Sequence, residues 1–308
     1  MLLSIIMPAH NAAAYLERTL ALLAQQIAGL EQVEVVAIDD ASTDETAKIL
    51  VEFARTYSWL KTISVDFANV GQARLAGMEL VEGRYITFLD SDDAFLPGGL
   101  AWMVEALLEH EPDLLMTPLW ETNQPLSEFE DTKSFARIVP LSNKQACDLF
   151  CEHKQLQGHF IGKCVSRRLL EQYGLVSMKC YEDMATTPYW ISKAKSILWG
   201  ETPVYAYYKR PGSLSDRGQT WRYGEEYIRA LQSMETAFFG RVELWQTAHL
   251  WIGFAKDLLK TPAGRQFLAA QPVVAEKIQS ISIWRYLVET QVSCKWKMRF
   301  LRVRLRLQ

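Results

Sequence analysis

Three carboxylates crowd into four residues at Asp90-Ser91-Asp92-Asp93. Their repulsion has to be offset, and a divalent cation does this well. Magnesium and manganese take oxygen ligands and bridge one or two carboxylates to substrate phosphates. A solvated turn in which an aspartate caps the next helix is the plain alternative for so short a pattern. Position favours the cation, because the acidic run directly follows the apolar stretch Tyr85-Ile86-Thr87-Phe88-Leu89. A second pair, Asp39-Asp40, follows another apolar stretch. Carboxylates placed there can accept hydrogen bonds from a nucleobase or ribose, or simply form a helix entry. A third pair, Glu182-Asp183, reads on its residues alone as the acidic start of a helix.

The elements that must position these groups follow an alternating pattern. Residues 2–7 (LLSIIM) form a continuous apolar run, suited to a strand buried on both faces. Residues 8–14 read as a loop, and 15–26 have helical spacing with Leu16, Leu20 and Leu23 on one side. Residues 33–38, 60–65 and 85–89 give three more strands, and 71–80 a further helix. Between the second and third strands, Ser42 is expected to cap a helix, with Glu45 three residues on as a capping box requires. Strand and helix alternating four times predicts an α/β fold with a mostly parallel, doubly wound sheet and helices on both faces. Ligands in such sheets bind beyond the carboxyl ends of the strands, where Asp39-Asp40 and the 90–93 run both fall.

Beyond these, residues 121–133 read as a polar, acidic, flexible loop. Residues 141–150, 165–173 and 181–194 read as helices, and 196–208 as strands rich in aromatics. From 220 onward the pattern is helical, with Trp221, Trp245, Trp251 and Trp284 spaced as packing residues.

Composition narrows the function classes. The chain has 308 residues, 49% of them hydrophobic, enough for one large α/β domain with or without an extension. A formal net charge of -3 argues against nucleic acid as a partner, since the phosphate backbone demands a basic surface. The cysteines Cys147, Cys151, Cys164, Cys180 and Cys294 show no CxxC spacing and read as reduced thiols of a cytosolic protein. Residues 1–7 lack a basic leader and read as a strand rather than a signal peptide. No apolar stretch approaches the ~20 residues that span a bilayer. The expected location is the cytoplasm, with or without attachment to the inner face of the membrane. Neither GxxxxGK[ST] nor GxGxxG accompanies the strands, which disfavours a Walker-type NTPase and a dinucleotide oxidoreductase.

Four segments in order, SIIMPAHNAAAYLERTLALLAQQ, VVAIDDASTDET, NVGQARLAGME and GRYITFLDSDDAFLPGGL, resemble glycosyltransferase family 2 over residues 4 to about 100. The likeness continues more weakly through IGKCVSRRLLEQYG and YEDMATTPYWISKAKSILWGETPVYAYYKRPGSLS to about residue 215. The resemblance implies a GT-A domain over 1–215, with a nucleotide-binding half (1–118) and an acceptor half (119–215). A helical C-terminal extension, 216–308, follows. It also implies an inverting enzyme that moves a sugar from a nucleotide sugar, UDP by default, to a hydroxyl of a glycan or lipid-linked acceptor. The setting would be bacterial cell-surface polysaccharide or lipopolysaccharide synthesis, and the cofactor Mn2+ or Mg2+.

Roles carry over position by position on that resemblance. Pro8, Ala9 and His10 would contact the nucleoside, with His10 standing where the family often has tyrosine. Asp40 would bond the base, helped by Asp39. Arg74 would lie near the diphosphate, whose oxygens a guanidinium fork fits. Asp90 and Ser91 would lie near the ribose, Asp92 would hold the metal with Asp93 behind it, and Asp183 would be the catalytic base. The turn Lys209-Arg210-Pro211-Gly212-Ser213 would fold over the donor as a lid. Lys163, Arg167 and Arg168 read equally as phosphate-facing groups or as ordinary surface charges, and Trp120 and Trp190 as core packing rather than sugar stacking.

Residues 295–308 (KWKMRFLRVRLRLQ) carry six positive charges interleaved with apolar side chains. The alternation fits a strand-like ribbon with one slip better than a clean amphipathic helix, and the segment suits either peripheral attachment to an anionic membrane or packing on the extension as a strand or helix. Two other readings compete with glycosyl transfer. A nucleotidyltransferase needs a Gly-rich, basic loop where this chain has PAHNAAAY. A catalytically silent nucleotide-sugar-binding protein would have no need of Asp40, Asp92 and Asp183 together.

Overall fold

The computed structural model describes residues 1–124, 137–209, 222–289 and 292–307. The chain forms two compact units, residues 1–211 and 212–308.

The first unit is built on an eight-stranded sheet. Its first half alternates β1 (Leu3–Ala9), α1 (Ala13–Ile27), β2 (Val33–Asp40), α2 (Thr46–Thr56), β3 (Leu60–Val65), α3 (Val70–Met78) and β4 (Tyr85–Phe88). Then come β5 (Ala94–Phe95), α4 (Gly99–His110), β6 (Leu114–Met116), β7 (Leu119–Thr122), β8 (Ile138–Leu141) and α5 (Asn143–Glu152). The unit closes with β9 (Lys163–Ser166), α6 (Arg167–Tyr173), α7 (Glu182–Lys193), β10 (Ile197–Gly200) and β11 (Tyr205–Tyr208). The sheet order is β3-β2-β1-β4-β9-β6-β10-β8, and a second, small sheet runs β5-β11-β7. β9 is antiparallel to both β4 and β6, and β8 to β10; the other pairings of the large sheet are parallel.

Strand alternation assigns the two faces. Leu3, Ile5 and Met7 of β1, with Val33, Val35 and Ala37 of β2, meet Leu16, Leu20 and Leu23 of α1 and Leu100, Met103 and Leu107 of α4. On the opposite face Ile6 and Ile38 press against Gly77 of α3, where an added Cβ would lie 2.8 Å from Ile38. Helices therefore cover both faces, as the alternation predicts. The same parity sends Asp39 and Asp40 to opposite sides of the sheet.

Several local expectations are corrected. Ser42 does not cap a helix. Its Oγ accepts the Asn11 N–H at 3.0 Å, while Asp44 accepts from Thr46 N at 3.0 Å at the head of α2. Residues 163–166 are a buried strand between β4 and β6, so the helix expected over 165–173 starts only at Arg167. Trp120, expected in the core, is 42% exposed, whereas Trp190 is fully buried. Arg167 is not an ordinary surface charge, since it donates to the carbonyls of Gly83 (2.9 Å) and Val81 (2.6 Å). Arg168 pairs with the buried Asp113. Part of the loop expected over 121–133, from 125 on, lies outside the described residues, as do Trp221 and residues 210–213 of the expected lid.

In the second unit the described elements are α8 (Gly224–Ala237), α9 (Leu244–Leu258), α10 (Pro262–Ala270), α11 (Pro272–Ser280), α12 (Ile283–Val288) and α13 (Cys294–Arg306). Leu231, Met234, Trp251, Ile278 and Phe300 are all buried. The basic tail is a helix, not a ribbon. Phe300 and Val303, one turn apart, are its buried residues, and Arg304 Nη1 donates to the carbonyls of Ile278 (3.0 Å) and Ile281 (2.8 Å). A helix satisfies its own backbone groups, whereas a ribbon needs a neighbouring strand. Trp284, expected to pack, is 77% exposed. Among the described residues no helix is long and apolar enough to cross a membrane.

Candidate active site

Loops at the carboxyl ends of β1, β2 and β4 and the head of α7 carry the predicted residues. Pro8 and Ala9 end β1 and are buried. His10 follows, exposed, with Nδ1 donating to the Asp40 carbonyl at 2.6 Å and Nε2 accepting from Asn11 Nδ2 at 3.1 Å. The Nδ1–H tautomer satisfies both bonds. Asn11 Oδ1 accepts from Thr43 N at 2.8 Å, so the loops after β1 and β2 are stitched together.

Asp40 is fully engaged with its own chain. Its Oδ1 accepts the N–H groups of Phe67 and Ala68, each at 2.8 Å, and its Oδ2 that of Asn69 at 2.7 Å. This carboxylate shapes the loop between β3 and α3. Asp39 is 5% exposed, and its buried Oδ1 has no hydrogen-bond partner among the described residues. A buried acceptor left open is costly, and a ligand N–H would relieve it.

Arg74, expected at a diphosphate, is held by carboxylates. Its Nη1 donates to Glu182 Oε1, and its Nη2 to Asp90 Oδ1 at 2.8 Å. The guanidinium lies 5.9 Å from the centre of the Phe88 ring and 5.5 Å from that of Phe160. α3 comes this close to the approach to α7 because residue 71 is glycine. A Cβ there would sit 2.6 Å from the Met178 carbonyl oxygen.

The 90–93 turn divides its carboxylates between the interior and the surface. Asp93 is buried, its Oδ1 accepting from Tyr208 N and its Oδ2 from the Tyr205 hydroxyl, both at 2.8 Å. That hydroxyl also accepts the Asp90 N–H at 3.0 Å. Burial, then the charges of Asp90 and Asp92, lifts the Asp93 pKa well above the carboxylate range. Burial also raises Asp90, against the pull of Arg74. Ser91 and Asp92 are half-buried at the tip of the turn. α1 braces it from below, with Arg18 Nη2 donating to the Asp92 carbonyl at 2.8 Å and Thr19 Oγ1 to that of Asp93 at 3.1 Å.

At the head of α7, Asp183 Oδ1 accepts the Met184 N–H at 2.6 Å and Oδ2 faces His159 Nδ1 at 3.3 Å. Burial opposes ionisation of Asp183, but His159, Arg74 and the Met184 N–H outweigh it and hold the pKa below the usual value. Glu182 is pushed up to about 7, chiefly by burial, with Arg74 opposing and the Asp183 charge adding. Tyr181 just before them has φ 64°, and Asn11, Ala41 and Ala68 around the other loops are likewise left-handed. Strain of this kind persists where the surroundings over-determine the backbone, often at functional sites.

Two residues stand out that sequence reasoning missed or misjudged. His159 was not singled out. Lys163, read as a surface charge, is 2% exposed and donates to the His159 carbonyl. Burial pushes its pKa down to about 7. The signal was available, since Lys163 is the lone charge in the apolar stretch Phe160-Ile161-Gly162-Lys163-Cys164-Val165. Lys163 and Gln157, whose Oε1 lies 3.1 Å from His159 Nε2, also line a cavity of about 350 Å³ with Thr117, Leu119, Glu121 and Gln155. That volume lies in the range of small-molecule sites.

The site thus joins an acidic turn at a strand end, an ion-pair chain Asp90–Arg74–Glu182, and an ionisable Asp183 that His159 links to Gln157 of a polar cavity. The family model for "Glycosyl transferase family 2" matches residues 4–174. The chain belongs to glycosyl transferase family 2. It is 24% identical over 237 residues to "Glycosyltransferase GlyA" of Streptococcus pneumoniae serotype 4, covering 74% of this chain and 33% of that protein. It is 29% identical over 133 residues to the poly(ribitol-phosphate) beta-N-acetylglucosaminyltransferase TarS of Staphylococcus aureus, covering 42% of this chain and 23% of TarS. Both relatives are much longer than the matched stretch. The structure of TarS 1–349 with UDP aligns over 99% of this chain and 88% of that one, with a TM-score of 0.64 and 20% identity. The mannosyltransferase PcManGT of Pyrobaculum calidifontis, in complex with GDP-Man and Mn2+, aligns over 98% and 86%, with a TM-score of 0.55 and 15% identity. These likenesses establish the GT-A fold.

Proposed function

We propose that this chain is an inverting glycosyltransferase that moves a sugar from a nucleotide sugar to a hydroxyl of a cell-surface glycan or lipid-linked acceptor. The observation that carries the reading is Asp183, whose Oδ2 meets His159, itself hydrogen-bonded to Gln157 on the wall of a polar cavity. Through its neighbour Glu182 it is tied by Arg74 to Asp90 of the acidic turn. A base and a donor-side carboxylate cluster are what such a transfer needs on either side of the anomeric carbon.

In this reading the loops after β1 and β2 receive the nucleoside. Pro8 and Ala9 supply its floor, His10 an exposed ring, and Asp39 the open acceptor for a base N–H, while Asp40 shapes the adjoining loop between β3 and α3. Asp90 and Ser91 take the ribose side. UDP is the favoured nucleotide, in keeping with the UDP complex of TarS. Arg74 keeps Asp90 and Glu182 in register.

A divalent cation, manganese or magnesium, fits the donor set of the turn. Asp93 has both oxygens bonded inward, and Asp92, half-buried at the tip of the turn, would hold the ion with help from Asp90. Among the described residues no three His, Cys, Asp or Glu side chains form a ready metal cluster. Cations of this type commonly take one or two carboxylates and complete their shell with phosphate oxygens and water. Bound there, such an ion would act as a Lewis acid toward the charge growing on the departing diphosphate.

Asp183 does the proton work. It accepts the acceptor's hydroxyl proton as the new C1–O bond forms, and the nucleoside diphosphate departs from the opposite face. One in-line displacement inverts the anomeric centre. His159 and the Met184 N–H orient the carboxylate.

The test is calorimetric titration with UDP- and GDP-sugars, with and without manganese, on the wild type and Asp92→Ala. Manganese-dependent binding of one nucleotide sugar, lost in Asp92→Ala, supports the donor site. A folded wild-type protein that binds none of them overturns it.

A further inference from the structure

Basic residues and solvent-facing apolar side chains share the last two helices of the second unit. α12 turns Tyr286 inward onto Phe300 of α13, with ring centres 4.7 Å apart. What α12 leaves outside is unusual: Trp284 is 77% exposed, Val288 51% and Ile283 43%. α13 repeats the arrangement. Phe300 and Val303 face inward, while Lys295, Met298, Arg302, Leu305 and Arg306 form its exposed side at helical spacing. Leu305 is 69% exposed. From residue 292 to 307 the chain has six basic residues and no acidic one. Arg304 is spent on the carbonyls of Ile278 and Ile281, and Arg299 lies over the Trp296 ring, 4.7 Å from its centre. Lys295, Arg302 and Arg306 remain directed to solvent.

We infer that the α12–α13 surface is a docking face for an anionic lipid bilayer. Charge complementarity selects an anionic occupant, and five large exposed apolar side chains select one with a hydrocarbon interior. A soluble polyanion would satisfy the three cations and leave Trp284 and Leu305 wet. A second copy of the same face would set three solvent-directed basic residues against three. A membrane interface accepts both components, because indole and aliphatic groups enter the boundary while lysine and arginine stay at headgroup level. The face is independent of the catalytic reading. It would hold the protein at the surface where a lipid-linked molecule is presented.

The experiment is co-sedimentation of the full chain with phosphatidylcholine vesicles, with and without phosphatidylglycerol, at low and high salt. The variants are Lys295→Glu/Arg302→Glu/Arg306→Glu and Trp284→Ser/Leu305→Ser, each checked for an unchanged melting temperature and circular dichroism. Both sets lie at exposed positions outside the proposed active site. The expected result is binding to phosphatidylglycerol vesicles that weakens with salt. Charge reversal should reduce the partition at least tenfold, since each basic residue near an anionic surface contributes about fivefold, and the apolar variant should reduce it severalfold. Three results overturn the inference: no binding by the wild type, binding that both variants retain, or salt-sensitive vesicle binding that the apolar variant leaves intact. Self-association of the wild type abolished by Trp284→Ser/Leu305→Ser, without vesicle binding, would assign the face to a second copy instead.

Discussion

His159 Nδ1 and Asp183 Oδ2 lie 3.3 Å apart, which ties the loop ahead of β9 to the helix that carries the proposed base. His159 is one of the groups that overcome burial and hold Asp183 ionised. In the His159→Gln variant that support is lost and burial acts with less opposition, so the Asp183 pKa rises. The acid limb of the kcat/KM pH profile should therefore move to higher pH, with a lower kcat at neutral pH. A limb that stays in place, with only a uniform loss of rate, would remove His159 from this role.

Arg74 is the buried tie between two helices and the acidic turn. Truncation in Arg74→Ala leaves Glu182 buried without its cation. Loss of one partner of a buried ion pair costs about 3–5 kcal/mol. The urea midpoint should fall accordingly. Arg74→Ala combined with Glu182→Gln should lose clearly less than the two single effects together, because the stranded charge is gone.

Lys163 gives a pH-dependent signature. Its pKa is pushed from 10.5 down to about 7 by burial. Below pH 7 folded and unfolded chains both hold the proton, and the native state carries the cost of a buried cation. Between about 7 and 10.5 only the unfolded chain holds it, so this residue's contribution to stability rises with pH. Lys163→Met should thus exceed the wild type in stability most below pH 7, with the gap closing toward pH 10.5. Glu182, raised to about 7 from 4.5, works the other way, its contribution falling as pH rises through that interval. It is present in both proteins and cancels in the difference. Chemical denaturation across this range checks the sign.

Tyr205 joins the turn to β11 by accepting from Asp90 N and donating to Asp93 Oδ2. Tyr205→Phe strips a buried carboxyl of a partner and should cost about 1–3 kcal/mol. Donor affinity should fall with it, because the same hydroxyl fixes the backbone of Asp90. Unchanged affinity at reduced stability would confine Tyr205 to a folding role.

Legibility in the sequence followed the periodicity of the chain. β1, β2 and β4 are buried runs and β3 an edge strand, with helices between them, so their order, and the acids at their ends, could be read directly. What escaped reading depends on contacts between distant residues. β9 is four residues long and exists because β4 and β6 flank it, which no local pattern reveals. Ser42 has the right neighbours for a capping box, yet Asn11, 31 residues earlier, claims its hydroxyl. Arg74 was placed near a diphosphate by position, while the fold turns its fork onto Asp90 and Glu182. α13 misled because alternation of basic and apolar residues, broken once at Phe300-Leu301, masks Phe300 and Val303, one turn apart and both buried.

The most direct test of the central claim is single-turnover transfer by the wild type and Asp183→Asn, with manganese and the nucleotide sugar that titration identifies. Donor binding is measured in parallel. The account predicts that Asp183→Asn binds the donor about as tightly as the wild type while releasing nucleoside diphosphate at least a hundredfold more slowly, as expected for loss of a general base worth about 10²–10⁴. Wild-type rates in the variant would contradict it, since the proton would then leave the acceptor by a route that does not need Asp183.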